Sequence, residues 1–255
     1  MKKLMDNKAG IVTGGGSGIG KAAAILIAKE GGKVIVADFN EKCGNETVEE
    51  IRNNGGEAYF FQCDVTDELQ VKSMVEFAVE KFGKLDWAYN NSGISGQENA
   101  PLHETHTDLF KKVVDVNLYG TYFCMKYEIA ELLKNGGGNI VNACSVNCVR
   151  CTPCGSSYVA SKLGAYGITQ SSALDYAKSN IRINAIAPGT TRTPMIENLI
   201  PIMPDIIETT SASIPDGRLA EPEEQANTVL YLLSDLSSHM TGQMLVVDGG
   251  QTVNL

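Results

Sequence analysis

Short β-branched runs alternate with helix-length patterns along most of the chain, and this rhythm constrains the fold more than any other feature. Lys8 to Thr13, Lys33 to Asp38, Glu57 to Cys63, Leu85 to Asn90, Asn139 to Ser145, Ile181 to Ala187 and Met244 to Val247 read as buried strands. Between them, 19–31, 41–54, 67–82, 105–134, 157–179 and 222–234 read as helices. Strands separated by helices become neighbours in a parallel sheet joined by right-handed crossovers. The expectation is therefore an α/β fold: a doubly wound parallel sheet of about seven strands, flanked by helices. No repeat, low-complexity tract or linker interrupts the 255 residues, so residues 1–255 are read as one domain.

Composition narrows the partners. With 43% hydrophobic and 20% charged residues the chain can bury a large core and is not a disordered one. A net charge of -9 argues against nucleic acid and acidic lipid surfaces, which call for clustered Lys and Arg. No apolar run approaches the ~20 residues of a membrane helix. Met1 to Asp6 starts basic but has no apolar core behind it, unlike a signal peptide. Seven cysteines are an odd number and too sparse for a disulfide scaffold. A reduced, soluble, cytoplasmic protein is expected.

One stretch breaks the rhythm. Thr190 to Gly217 holds Pro194, Pro201, Pro204 and Pro215 among Met195, Ile196, Leu199, Ile200, Ile202, Met203, Ile206 and Ile207. So apolar a segment with so many helix breakers suggests short helices folded as a lid over a pocket, at about 190–217; an ordinary irregular connection is the plainer alternative.

Directly after the first strand comes Thr13-Gly14-Gly15-Gly16-Ser17-Gly18-Ile19-Gly20, opening into a helix. The spacing is T-G-x-x-x-G-x-G rather than G-x-G-x-x-G. Residues without Cβ let the backbone approach a pyrophosphate, and a helix N-terminus offers free N–H groups and a positive dipole end. Between strand and helix of a βαβ unit, this is a nucleotide site. Asp38 ends the second strand, twenty residues after Gly18, where a carboxylate accepts ribose hydroxyls and repels a 2′-phosphate. No Arg follows it, and Ser17 is uncharged. NAD is favoured over NADP.

Tyr158 and Lys162 lie near the start of a predicted helix, four residues apart and so on one face. An ammonium beside a phenol favours the phenolate, and a phenol tuned this way exchanges protons with an alcohol or carbonyl. Alone, such a pair is common on surface helices; its surroundings decide what it means.

In order along nearly all of the chain stand the glycine motif with Asp38, Cys63-Asp64-Val65, Asn90-Asn91-Ser92-Gly93, Asn117, Ser145, Tyr158-x-x-x-Lys162, Pro188 to Pro194 and Asp248-Gly249-Gly250. On these segments the chain resembles the short-chain dehydrogenase/reductase family. That resemblance implies a Rossmann-type single domain with Tyr158 as general acid/base and Ser145 hydrogen-bonding the reacting oxygen. Lys162 would hold the nicotinamide ribose and favour the Tyr158 phenolate. Asn117 would kink its helix and bind a water of the proton relay. The cofactor set would be Gly14, Ser17, Gly18, Ile19, Gly20, Asp38, Asp64, Val65, Asn91, Tyr158, Lys162, Thr191 and Thr193. Asp64 would meet the adenine amino group, and Thr191 and Thr193 the carboxamide. Helices 105–134 and 157–179 pair subunits in this family, so a homotetramer is implied.

Two segments depart from the family pattern. Ser92 replaces the usual Ala, a small change. After Ser145 the loop reads Val146-Asn147-Cys148-Val149-Arg150-Cys151-Thr152-Pro153-Cys154, where small residues are usual. Cys144, Cys148, Cys151 and Cys154 invite metal or redox readings, but a cluster would crowd the site, and buried cysteine commonly acts as a small hydrophobe. Structural or pocket-lining cysteines and no metal are expected. His103 and His106 have no third ligand in view.

The leading expectation is an NAD-dependent oxidoreductase interconverting a secondary alcohol and a ketone by hydride transfer. An NADPH-dependent reductase of acyl-carrier-bound keto groups is the main alternative, disfavoured by Asp38 and the negative charge. A nucleotide sensor without catalysis is the other, disfavoured because all four catalytic positions are intact. The substrate stays open among hydrophobic or alicyclic hydroxyl compounds.

Overall fold

In a computed structural model, which describes residues 3–96 and 100–253, seven strands form one parallel sheet. They are β1 (Ala9–Thr13), β2 (Lys33–Asp38), β3 (Glu57–Gln62), β4 (Trp87–Asn90), β5 (Gly138–Ala143), β6 (Ile181–Pro188) and β7 (Met244–Val247). Their order is β3-β2-β1-β4-β5-β6-β7, every pair parallel. The order reverses between β1 and β4, and a crevice opens beyond the carboxyl ends of strands at such a switch point.

Nine α-helices were found among the described residues: α1 (Gly18–Lys29), α2 (Glu41–Asn53), α3 (Glu68–Phe82), α4 (Thr107–Val114), α5 (Gly120–Lys134), α6 (Ser156–Tyr176), α7 (Pro194–Glu197), α8 (Ile206–Ser213) and α9 (Pro222–Leu233). Side chains alternate along a strand, so the sheet fills two cores. Val12, Val34, Val36 and Val141 pack with Ala23, Ile27, Val48, Val229 and Leu233 from α1, α2 and α9. Ile11, Ile35, Ala88 and Ile140 pack with Val71, Met74, Met125 and Ile129 from α3 and α5. The backbones of β1 and β4 approach so closely that a Cβ on Gly10 would lie 2.1 Å from the Trp87 ring. Only glycine fits there.

Several boundaries differ from the sequence expectation by a residue or two, and three of the differences bear on the site. The helix expected over 105–134 is divided: α4 passes through a π-helical turn, Asp115–Tyr119, into α5. The divider is Asn117, whose side chain bonds to the Ile94 backbone rather than facing outward. The sixth helix stops at Tyr176, followed by a 3₁₀ turn (Ala177–Ser179) and Asn180 in the left-handed region at φ 58°. The fifth strand ends at Ala143, so Ser145 caps a 3₁₀ turn (Val146–Cys148) beyond the sheet edge. The proline-rich segment forms the short helices α7 and α8, with Ile214 buried but Ile202 and Met203 exposed.

A polar cluster lies inside the sheet behind the fourth strand. Asn90 Nδ2 donates to Glu128 Oε2 (2.9 Å) and Asn142 Oδ1 (3.0 Å), and Asn142 Nδ2 donates to Thr169 Oγ1 (2.8 Å). Glu128 is fully buried, and its Oε1 has no hydrogen-bond partner among the described residues. Burial pushes its carboxyl up to about 7, opposed by the Asn90 hydrogen bond.

Candidate active site

The loop between β1 and α1 is built for close approach. Gly14 and Gly18 adopt φ of 61° and 51°, the left-handed region that glycine enters freely. A Cβ on Gly20 would lie 2.1 Å from the Gly14 carbonyl oxygen. Ser17 caps α1 in extended geometry without a side-chain hydrogen bond, and no acidic residue stands in the first turn. The first N–H groups of α1 therefore have no side-chain cap, and the positive end of the helix dipole is not neutralised locally. α3, by contrast, is capped by Asp67.

Asp38 closes this loop against β2. Its Oδ2 accepts from Gly16 N–H (2.9 Å) and its Oδ1 from Asn40 N–H (2.8 Å). Each carboxylate oxygen keeps a further lone pair for a hydroxyl donor. Asn91 Nδ2 donates to the Thr13 and Gly14 carbonyls (3.1 and 3.2 Å), tying the end of β4 to the glycine loop. Asp64 Oδ1 accepts from Thr66 N–H and Oγ1–H (2.9 and 2.7 Å), and Val65 packs over Gly120. Across the loop, a Cβ on Gly18 would lie 3.1 Å from Thr193 Cγ2. Thr193 Oγ1 donates to the Thr191 carbonyl (3.3 Å), and Thr191 Oγ1 donates to the Gly189 carbonyl (2.9 Å). The predicted cofactor residues thus gather at one edge of the sheet.

Asn117, Lys162 and Gly93 meet next to them. Asn117 is fully buried; its Nδ2 donates to the Ile94 carbonyl (2.9 Å) and Ser161 Oγ (3.0 Å), and its Oδ1 accepts from Ile94 N–H (2.8 Å). Ser161 Oγ–H donates to the Tyr158 carbonyl (2.8 Å), which links Asn117 to the first turns of α6. Lys162 is 5% exposed and its Nζ donates to the Ala143 carbonyl (2.7 Å). A Cβ on Gly93 would lie 3.2 Å from both Lys162 Nζ and Asn117 Oδ1. The ammonium sits 5.8 Å from the Tyr158 ring centroid, and no carboxylate pairs with it among the described residues. A buried charge is costly unless its protons are used, and the Ala143 carbonyl takes one of the three on Nζ. Ser145, two residues past Ala143, is buried, and its Oγ accepts from Asn147 N–H (3.1 Å).

A family model described as Enoyl-(Acyl carrier protein) reductase matches residues 14–252. The 2,5-dichloro-2,5-cyclohexadiene-1,4-diol dehydrogenase of Sphingobium indicum is 41% identical over 97% of this chain and 98% of its own length. The chain belongs to the short-chain dehydrogenase/reductase family. The cyclohexanol dehydrogenase of an Acinetobacter species is 40% identical over 99% of each chain. The crystal structure of levodione reductase superposes with a TM-score of 0.92 at 34% identity, over 98% of this chain and 100% of that one. Short-chain dehydrogenases/reductases are oxidoreductases that bind a nicotinamide cofactor, and the glycine cradle, the uncapped α1 terminus and Asp38 fit one.

Sequence reasoning missed three supporting residues of this short-chain dehydrogenase/reductase site. Ser161 bridges Asn117 to α6, the Ala143 carbonyl holds Lys162, and Gln225 Nε2 reaches Thr191 Oγ1 (3.3 Å) from α9. Ser161, inside Tyr158-x-x-x-Lys162, was the one with a local signal. The four cysteines of the Ser145 loop are free, and no group of metal-ligating side chains was found among the described residues. No helix of the described residues is long and apolar enough to cross a membrane.

Proposed function

We propose that the protein is an NAD-dependent dehydrogenase of secondary alcohols, with alicyclic hydroxyl compounds as its substrate class. The observation that carries this reading is the buried Lys162 ammonium, unpaired by carboxylate and placed beside the Tyr158 ring, next to an uncapped glycine loop. Tyr158 takes the hydroxyl proton of the alcohol during oxidation and returns it to the carbonyl oxygen during reduction. Ser145 Oγ–H donates to the same oxygen and steadies its developing charge. Lys162 offers its two remaining protons to ribose hydroxyls, and Asn117 orders the water that leads protons away.

When bound, the nicotinamide supplies or accepts the hydride. Gly14, Ser17, Gly18, Ile19 and Gly20 hold the pyrophosphate and Asp38 the adenosine ribose. Asp64, Val65 and Asn91 flank the adenosine, and Thr191 and Thr193 hold the carboxamide. Asp38 supports NAD over NADP, because its carboxylate repels a 2′-phosphate. The segment 190–217 acts as the lid. The ring alcohols named for the relatives, together with the apolar lid, support a hydrophobic cyclic substrate. We further propose a cytoplasmic homotetramer.

The test is a panel of cyclic and acyclic secondary alcohols and ketones, read by NADH absorbance, with the wild type and Tyr158→Phe in parallel. The variant loses about 10²–10⁴-fold in kcat while NADH still binds. Near-normal turnover by the variant overturns the assignment of Tyr158. Equal rates with NADPH overturn the NAD assignment.

A further inference from the structure

The cysteines at and after the end of β5 have no part in the chemistry proposed above. Cys144 is 3% exposed and packs with Ala165 and Ala185; Cys148, half-buried, packs against the same cluster. The two thiols are close enough for each to shift the titration of the other. Between them stands Ser145, whose carbonyl accepts from Cys148 N–H (2.9 Å) and whose Oγ accepts from Asn147 N–H (3.1 Å). Beyond them the loop opens to solvent at Val149, Arg150 and Cys151. A small molecule therefore meets Cys148 first, with Cys144 lying behind it.

We propose that Cys148 and Cys144 form a modification site for small hydroperoxides, which close it to a disulfide across Ser145 and halt turnover. The division of labour follows from the surroundings. The hydrogen bond from Cys144 holds the Cys148 thiol below the usual range, with help from a Ser145 backbone hydrogen bond and the Lys162 charge, and against burial. The same hydrogen bond, and burial, hold Cys144 above it. Cys148 is thus the thiol that gives up its proton more readily and the better nucleophile, and Cys144 the resolving thiol.

In the first step the Cys148 sulfur attacks a peroxide oxygen and the O–O bond breaks. The departing oxygen takes up a proton and leaves as water or an alcohol, and Cys148 becomes a sulfenic acid. In the second, the Cys144 sulfur attacks that sulfur and the S–S bond forms. Hydroxide leaves with the Cys144 proton as water. Two electrons pass from the thiols to the peroxide. A disulfide holds its Cα atoms about 4.4–6.8 Å apart, which refixes the turn that positions Ser145.

The experiment treats the purified protein with hydrogen peroxide, blocks free thiols with iodoacetamide and maps the tryptic peptides. Residues 135–150 form one peptide containing both cysteines. Expected is a peptide about 2 Da lighter, unalkylated and restored by dithiothreitol, formed in step with at least a tenfold loss of turnover on the best panel alcohol. Cys144→Ala stops at a sulfenic acid that dimedone traps, and Cys148→Ser leaves the peptide unoxidised, each judged against its own untreated control. The proposal is overturned if the 135–150 peptide stays reduced, if oxidation falls on Cys151 and Cys154 instead, or if the disulfide forms with turnover intact. The mass readout needs no substrate, so it stands or falls apart from the alcohol assignment.

Discussion

Replacing Glu128 with glutamine removes one titration from the interior of the sheet. The unfolded chain releases this proton near the ordinary value of 4.5, whereas the folded chain keeps it to about 7. A carboxyl raised on folding contributes stability that is complete below pH 4.5 and is lost as pH rises through 7. At ~1.4 kcal/mol per pH unit the gap between the two values is worth about 3 kcal/mol. About 2 kcal/mol of that falls between about pH 5.5 and about pH 8.5. Glutamine keeps an acceptor for Asn90 Nδ2, which lies 2.9 Å from Glu128 Oε2, but carries no proton to lose.

Urea unfolding followed by the fluorescence of Trp87, the single tryptophan and fully buried, reads both proteins at one concentration. The difference in unfolding free energy, Glu128→Gln minus wild type, grows by about 2 kcal/mol from the lower pH to the higher. Parallel pH dependences would falsify the account, because they mean that Glu128 does not change its proton affinity on folding.

Asp38→Ala removes the ribose acceptor; NADH affinity falls by about 10–100-fold while NADPH affinity falls less or rises, as fluorescence titration reads. Gly20→Ala drives a Cβ to 2.1 Å from the Gly14 carbonyl, so dinucleotide binding is lost in the same titration and stability drops by about 1–3 kcal/mol. Asn117→Ala strips partners from the Ile94 N–H and carbonyl, and a melting curve shows Tm lower by about 3–10 °C.

Where a feature is set by neighbours in sequence, it was legible before the structure. The apolar runs predicted all seven strands within a few residues, because buried parallel strands are continuous in the chain. The glycine loop was legible for the same reason. Tyr158 and Lys162 were placed on one face by helix geometry alone. What escaped was set by distant partners. The resemblance implied a kink at Asn117, but not its form, a π turn in which Asn117 bonds to Ile94, 23 residues away. Nothing in the sequence marks Glu128 until Asn90, 38 residues earlier, is brought beside it.

The π turn at Asp115–Tyr119 has a consequence for how this chain tolerates insertions and deletions. An α-helix advances about 100° per residue, so one extra residue swings everything downstream by that angle. α4 lies against α6, while α5 lies against α3, so one continuous rod serves two neighbours without a loop. Deleting a single residue here would leave a helix only about 1.5 Å shorter. It would also turn Met125, Ile129 and Leu132 away from the sheet they pack on. The number of residues in this turn is therefore more tightly constrained than the identity of most of them.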